Sequence, residues 1–571
     1  MKIARIEDWL TNARGGGTVR RVVIDPNREE PKSRRFERSA DILVIAALGI
    51  VAFALYSIRL KQDINWDLQN YHYYTAYAFL NGRLKQDLLP TGIQSYLNPF
   101  PYVHYYLLVN YLPPKWAAAA IGGFQGLSVA LIYLLSRLVL NENATSGRDR
   151  VFAATLVTFV GLASPMLLSE VGTSFADIYS AELITLGLII LFGRFGAATF
   201  RIEPARILSS GIIVGMATGC KLTNAVFAVA GAFSIVIITR PRITNLCVWI
   251  SGSVVGFAVT GGIWALRVFE RFGNPFFPYW NGIFRSALYD PSNLSDRLYL
   301  PGSLRDALAY PFLWFIGNNT TAQIPFTDAR YAVLSVLLIP AAVMLTRSVV
   351  NARRIGGQAQ HITDRAFVKR MPALFISSFF LTSYALWLGF FSEQRFAVPL
   401  ELLSGVFLVI LCDFIGGERF GKVLLALVLS FLIIGCMRTS SWGRVPWSHT
   451  WFDVSLPQEL LDNNAVYLKP EHRNAYLIPF FPADARFFGI GTDTRLDRAI
   501  KQIVDRHNGP RRVLAYDQIE RRTGDLLKGF GYQIDNCVGF SSKNDRFVVC
   551  DLIRWQEGEL LKVPLPHRPA P

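Results

Sequence analysis

Two carboxylates four residues apart, Asp63 and Asp67, open an aromatic-dense stretch running from Gln62 to Tyr77. The segment from Asp67 to Leu80 has helical character, with Tyr71, Tyr74 and Ala78 on one side. Asp67 stands at its start, where an aspartate is a favoured N-cap. The same carboxylate, beside a long apolar run and among aromatics, also suits a general base with a raised pKa. The two roles are compatible. Downstream, Asp87 precedes a polar, proline-containing stretch, Gln94 to Tyr102. Irregular backbone of that kind survives next to a membrane only inside protein or around a watery cavity. Glu170 and Asp177 form a second acidic pair, with a solvated loop as the plain alternative. Arg395 lies between two apolar runs in Ser392-Glu393-Gln394-Arg395-Phe396. It reads either as a snorkelling cation or as a fork of donors for an anionic headgroup.

These residues must be placed by membrane helices. An apolar run of 18 or more residues is a spanning candidate. Candidates lie at 42–58, 116–140, 151–168, 178–195, 245–266, 328–346, 372–391, 397–413 and 420–437, and a shorter pair lies between 207 and 238, broken at Gly219-Cys220-Lys221-Leu222-Thr223-Asn224. That makes about eleven membrane helices. The leader carries Arg20, Arg21, Arg34, Arg35 and Arg38, too long and charged for a cleaved signal. Arginines and lysines crowd five loops, all on one side if the N-terminus is cytoplasmic and the broken pair enters and leaves from inside. This orientation puts 59–115, 169–177, 267–327, 392–396 and everything after about 438 outside.

The tail differs in kind. Ala485–Ile490 and Arg512–Tyr516 read as strands, each followed by a helix, and Tyr532–Phe540 with Arg546–Trp555 as a hairpin. The order predicts a small α/β domain. The chain thus divides into a basic cytoplasmic segment (1–40), an all-α membrane domain (41–437) and an extracytoplasmic α/β domain (438–571). Cys537 and Cys550 are equidistant from Lys543-Asn544, so hairpin pairing would set them opposite, within disulfide reach. The alternative is two small hydrophobes on one sheet face. Cys220, Cys247, Cys412 and Cys436 lie in apolar runs as inert thiols.

Composition narrows the function classes. Of 571 residues, 51% are hydrophobic and 18% charged, and mean hydropathy is +0.30. Soluble chains carry roughly 25% charged residues, so a soluble enzyme, a disordered chain and a fibre are excluded. The net charge is +16, but the positives flank apolar runs, and there is no zinc-finger spacing, arginine-rich tract or P-loop. Nucleic acid is not the partner. Six cysteines are too few for a disulfide scaffold.

Taken together, these features resemble the C-type (GT-C) polyprenyl-phosphate-sugar-dependent membrane glycosyltransferases, among them protein O-mannosyltransferases, lipid A aminoarabinose transferases and family-87 mannosyltransferase-like proteins. The resemblance spans about residues 40–437. It rests on Asp67 with Tyr71, Ala76, Ala78 and Gly82, on the Gly219-Cys220-Lys221 break, on Gly273-Asn274-Pro275-Phe276-Phe277-Pro278-Tyr279, and on Arg395-Phe396-Ala397-Val398-Pro399-Leu400. Two positions depart from it: Leu68 follows Asp67 where many relatives carry an acidic pair, and Phe396 replaces the usual Tyr. The tail matches no family in this group.

The resemblance implies an inverting sugar transfer from a polyprenyl-phosphate donor to a hydroxyl of a glycan, lipid or protein acceptor, at the outer face of a bacterial cytoplasmic membrane, in building the cell envelope. Asp67 would be the general base, with Asp63 in reserve. Arg395, Lys221 and Arg330 would bind the donor phosphate. Trp66, Tyr71, Asp87, Asp177, Asn274 and Tyr279 would line the substrate site. No cofactor or metal ligand set is implied, although a divalent metal stays open. A lipid-linked glycan polymerase or ligase, and a polyprenyl-lipid transporter or flippase, are the competing readings.

Overall fold

In the computed structural model, residues 32–140, 147–193, 202–355, 371–415, 419–462, 464–470, 474–491, 494–543 and 545–555 are described. The leader before residue 32 and orienting charges such as Arg194, Arg201, Arg365, Lys369 and Arg370 lie outside them. The chain divides into two compact units, Met1–Val44 and Ile45–Pro571. Of the first, the described part is the start of the helix Lys32–Leu60.

Among the described residues six helices are long and apolar enough to cross a membrane: Ala40–Leu60, Pro114–Val139, Arg242–Phe272, Arg330–Arg347, Met371–Phe390 and Gln394–Ile415. At 1.5 Å per residue, about 20 residues cover a hydrocarbon core of about 30 Å. The other expected spans are present as shorter helices, Gly147–Leu162, Asp177–Phe192, Pro204–Cys220, Ala225–Ile238 and Arg419–Cys436. Val398–Ile415 is apolar on every side and buried along most of its length, the signature of a central helix. It crosses Gly147–Leu162 at backbone contact. A Cβ on Gly405 would strike the Val157 carbonyl, and one on Gly161 the Leu402 carbonyl.

The broken pair is a helical hairpin. Gly211, Gly215 and Gly219 follow one another along Trp249, Ser253 and Thr260, whereas on the returning helix Ala228 accepts from the Trp249 indole and Thr239 pairs with Asn245. The two helices therefore run antiparallel, and Lys221, in extended backbone, is their tip.

The tail forms a mixed five-stranded sheet of β4 (Val466–Lys469), β5 (Arg486–Gly489), β6 (Arg511–Tyr516), β7 (Tyr532–Ser542) and β8 (Asp545–Arg554), in the order β5-β4-β6-β8-β7. β4 is parallel to β5 and β6; β8 is antiparallel to β6 and β7. Alternation decides what each face covers. Val466, Leu468, Phe488, Val513 and Cys550 pack under Leu496, Ile500, Val504 and Leu527 of the helices Thr494–Asp505 and Arg521–Gly529. Tyr467, Phe487, Leu514 and Val549 pack instead with Tyr73, Tyr74 and Tyr105 of the first long loop. Cys537 lies opposite Cys550 in the register, and the two are disulfide-bonded with a Cα–Cα distance of 4.0 Å.

The tail is consequently no detached module: it belongs to the unit Ile45–Pro571. A two-stranded ribbon pairs β1 (Gln62–Asp63) with β3 (Arg444–Val445), binding the start of the first loop to the chain just after the last helix; the short strand β2 (Pro90–Ile93) lies further along that loop. Asp87 accepts from Arg83 at 2.7 and 2.8 Å, from Tyr74 at 2.8 Å and from the Phe487 amide at 2.9 Å. Arg83 in turn donates to the Ala483 and Ala485 carbonyls.

Candidate active site

The helix expected from Asp67 begins differently from the sequence reading. Asp63 Oδ1 accepts from the Asn65 amide at 3.0 Å, and Asn65 Oδ1 accepts from the Leu68 amide at 2.8 Å. Asn65 is therefore the cap, and Asp67 makes no side-chain cap bond. A π-helical turn, Leu68–His72, follows before the α-helix Tyr73–Leu80. Its wide turn rotates the register, so Tyr71 does not share a side with Tyr74 and Ala78. Tyr71 packs with Tyr102 and Ala176, while Tyr74 and Ala78 pack toward the tail. Such single π-turns recur at functional sites.

Released from capping, Asp67 pairs with Arg395 Nη1 at 2.7 Å, across 328 residues of sequence. Arg395 sits on the 3₁₀ turn Gln394–Ala397 that opens the central helix. Its guanidinium lies over Phe175 at 4.3 Å and Trp442 at 5.5 Å. Nη2 is 3.4 Å from Glu393, and Nε is 3.9 Å from Asp177. Asp177 begins its own helix and takes Lys221 Nζ at 2.5 Å; Lys221 also lies 4.1 Å over the Phe396 ring. Four chain junctions thus meet in one charged cluster: the first long loop, the start of Asp177–Phe192, the hairpin tip and the turn before the central helix.

Burial raises the Asp67 carboxyl, but the Arg395 charge, then His72, and hydrogen bonds from Arg395 and Tyr71 overcome it and hold the group below the usual carboxylate range. A raised value was expected, and the facing arginine reverses it. Burial, then the Asp177 charge, push the Glu170 carboxyl well up. Several buried polar atoms in this cluster have no hydrogen-bond partner among the described residues: Arg395 Nε, Asp177 Oδ2 and both Glu170 oxygens. Native interiors leave few such groups, and those that persist call for a functional explanation. Among the described residues no three His, Cys, Asp or Glu side chains converge as a metal site.

A cavity of about 530 Å³ adjoins the cluster. Its wall is mainly Phe100, Phe124, Leu127, Leu131, Leu183 and Leu186, and it reaches Ala176 and Cys220, the neighbours of Asp177 and Lys221. Phe124 is 53% exposed and Phe100 47%, so its wall extends to the molecular surface.

The structure brings Asp67, Tyr71, Asp177, Lys221 and Arg395 together, and it holds the other expected site residues elsewhere. Arg330 is wholly buried, its donors taken by Asp328 at 2.6 Å, Glu401 at 3.2 Å and the Glu401 carbonyl at 3.0 Å. Asp63, the reserve base, is fully buried and accepts from Asn65, Ser174 and Tyr105. Asp87 is the brace between the first loop and the sheet described above. Asn274 makes a local turn, accepting from the Phe276 amide and donating to the Tyr279 carbonyl; neither Asn274 nor Tyr279 touches the charged cluster. Trp66 is half exposed. His72, missed in the sequence, lies inside the cluster, stacked on Tyr102 at 3.8 Å; one histidine among many tyrosines gave no spacing signal.

No family model matches the sequence, and no curated protein matches it. Among solved structures the chain is similar to ArnT from Cupriavidus metallidurans in the apo state, with TM-score 0.48 at 12% identity over 91% of this chain and 98% of that one. The structure of the same protein bound to undecaprenyl phosphate gives 0.39 at 13% identity over 90% and 98%. The apo oligosaccharyltransferase of Archaeoglobus fulgidus gives 0.40 at 12% identity over 87% and 74%.

Proposed function

We propose that this chain is a membrane glycosyltransferase that moves a sugar from a polyprenyl-phosphate donor to an acceptor hydroxyl, at the outer face of the cytoplasmic membrane, with inversion at the anomeric carbon. One observation carries the reading: how Arg395 uses its two edges. Nη1 holds Asp67. The Nε–Nη2 edge, the one Arg83 uses to grip both Asp87 oxygens, makes no hydrogen bond among the described residues: Nε stands 3.9 Å from Asp177 and Nη2 3.4 Å from Glu393. A phosphate taken on that edge by two parallel bonds is set beside the carboxylate that must act as base.

The step balances. The acceptor oxygen attacks the anomeric carbon from the face opposite the phosphate, and its proton passes to Asp67. The bond between the anomeric carbon and the phosphate oxygen breaks, and its electron pair leaves with the lipid phosphate. Arg395 and Lys221 stabilise that charge in a low-dielectric cluster. Phosphate on Arg395 draws the guanidinium's field away from Asp67, so donor binding restores basicity to a carboxyl held low in the free protein. The adjoining apolar cavity supplies a place for the prenyl chain next to its headgroup.

The test is transfer from a labelled polyprenyl-phosphate sugar by protein in detergent. The proposal expects Asp67→Asn to keep the lipid and lose turnover. Near-normal turnover in that variant removes Asp67 as base, and a protein that moves the lipid between membrane leaflets without transferring sugar favours a transporter.

A further inference from the structure

Asp63 and Ser174 are unused by the mechanism, yet both are buried and each is held by several hydrogen bonds. Asn65 Nδ2 donates to both Asp63 oxygens, at 2.9 and 2.8 Å, while Asn65 Oδ1 accepts from the Leu68 amide. Flipping that amide would put oxygen against carboxylate and NH₂ against N–H, so its orientation is fixed. The same Nδ2 donates to Ser174 Oγ at 3.0 Å. The Ser174 amide is anchored on Asp63 Oδ2 at 3.0 Å. The Ser174 hydroxyl is buried and has one other partner, His72 Nδ1 at 2.7 Å. Its own proton must go there, because the alternative leaves a buried O–H unpaired. A neutral imidazole that accepts at Nδ1 carries its hydrogen on Nε2.

The imidazole is neutral because burial drives its pKa down to about 3; Asp67 opposes this, while Arg395 and Lys221 reinforce it. The rings of Tyr71, Tyr102 and Phe175 enclose it, and Phe175 also carries the Arg395 guanidinium. Among the described residues Nε2 has no acceptor.

We infer that Asp63, Asn65 and Ser174 form a hydrogen-bond chain that sets His72 in its Nε2–H form, and that His72 is an uncharged donor to an oxygen of the donor lipid's phosphate. This rests on the proposed function. Asp63, Asn65 and Ser174 are positioning residues; His72 touches the ligand. An uncharged N–H on a ring packed against Phe175, which carries Arg395, would strengthen as charge develops on the leaving phosphate, without adding a second cation that would compete for Asp67.

Two measurements on the full-length protein in detergent test it. The first is the ¹⁵N spectrum of histidine-labelled protein, with His72 identified by its loss in His72→Gln. The expected signature is a neutral Nε2–H imidazole from about pH 5 to about pH 9, spanning the ordinary histidine value of about 6.5. Ser174→Thr should keep it and Ser174→Ala should lose it. An Nδ1–H form, or protonation near the ordinary value, overturns the chain. The second is affinity for undecaprenyl phosphate. His72→Gln, which retains an N–H, should stay within about threefold, and His72→Phe should weaken binding about tenfold or more. Unchanged affinity in His72→Phe overturns the ligand assignment. If Arg395→Ala also binds normally, the phosphate site itself lies elsewhere, and the tautomer measurement still judges the chain by itself.

Discussion

Two buried arginines, Arg330 and Arg395, stand at the heads of neighbouring helices, each among acidic side chains, and they are built to opposite ends. Every nitrogen of Arg330 has an acceptor: Nε and Nη2 meet Asp328, Nη2 also Glu401, and Nη1 the Glu401 and Gly161 carbonyls. Glu401 is itself completed by Ser164 and Gln394. Arg395 spends one nitrogen on Asp67 and leaves its forking edge without a hydrogen bond. Burial and ion pairing are common to both, so neither separates architecture from chemistry. Completeness of hydrogen bonding does. The satisfied network also serves the open one: Gln394, locked on Glu401 at 2.8 Å, is the residue next to Arg395.

If that contrast is right, damage to the two clusters must read out differently. The largest effect belongs to the open one. Asp67→Asn should lower turnover by about 10²–10⁴-fold, the usual range for general base catalysis, with folding and lipid binding retained; a transfer assay beside a lipid-binding assay checks it. Arg330→Met should do the reverse. Breaking a buried pair by removing one partner costs about 3–5 kcal/mol, so thermal stability should fall while the protein that stays folded keeps its donor affinity. A donor affinity that collapses with Arg330 would erase the distinction.

Asp87→Asn probes a third arrangement, the brace between loop and sheet. It should expose the tail to limited proteolysis before the helices, because Arg83, Tyr74 and the Phe487 amide lose a shared carboxylate.

The pH profile sharpens the comparison further. Because Arg395 holds the Asp67 carboxyl low, the acid limb of kcat/KM for the free protein should lie below the ordinary aspartate value of about 3.9. Arg395→Gln should move whatever activity remains so that its acid limb rises. A carboxyl held low in the fold contributes stability above its unfolded value and loses it as pH falls through the folded one, so Asp67 should also make the cluster acid-sensitive in that window. The smallest effect is reserved for Cys537→Ser with Cys550→Ser. The bond closes a span of 13 residues within a hairpin already paired by its backbone, so loosening should be confined to β7 and β8 and leave transfer unchanged.

Residue type and sidedness carried much of this into view before any coordinates. Asp67, Asp177, Lys221 and Arg395 are polar groups at the ends or breaks of apolar runs, and hydropathy together with the basic loops brings them into view. The strands of the tail show in their alternation, except β4: Val466–Lys469 is short and buried on both faces, which leaves no alternation to read. What the chain could not reveal is pairing over distance. Arg330 and Arg395 look alike in sequence; only folding shows that Asp328 and Glu401 complete one of them. Asp87 resembled a substrate group until Phe487, 400 residues later, turned it into a brace. The capping role passed from Asp67 to Asn65 because a carboxylate two residues earlier fixes the Asn65 amide, a local geometry that propensity does not encode.

The central claim, that the open edge of Arg395 is the phosphate seat while Asp67 is the base beside it, is tested most directly by titrating undecaprenyl phosphate into three proteins: the native chain, Arg395→Lys and Asp67→Asn. Lysine keeps the charge and loses the fork. Arg395→Lys should bind about tenfold more weakly or worse, while Asp67→Asn should bind as well as the native chain or better. Native affinity in Arg395→Lys would contradict it.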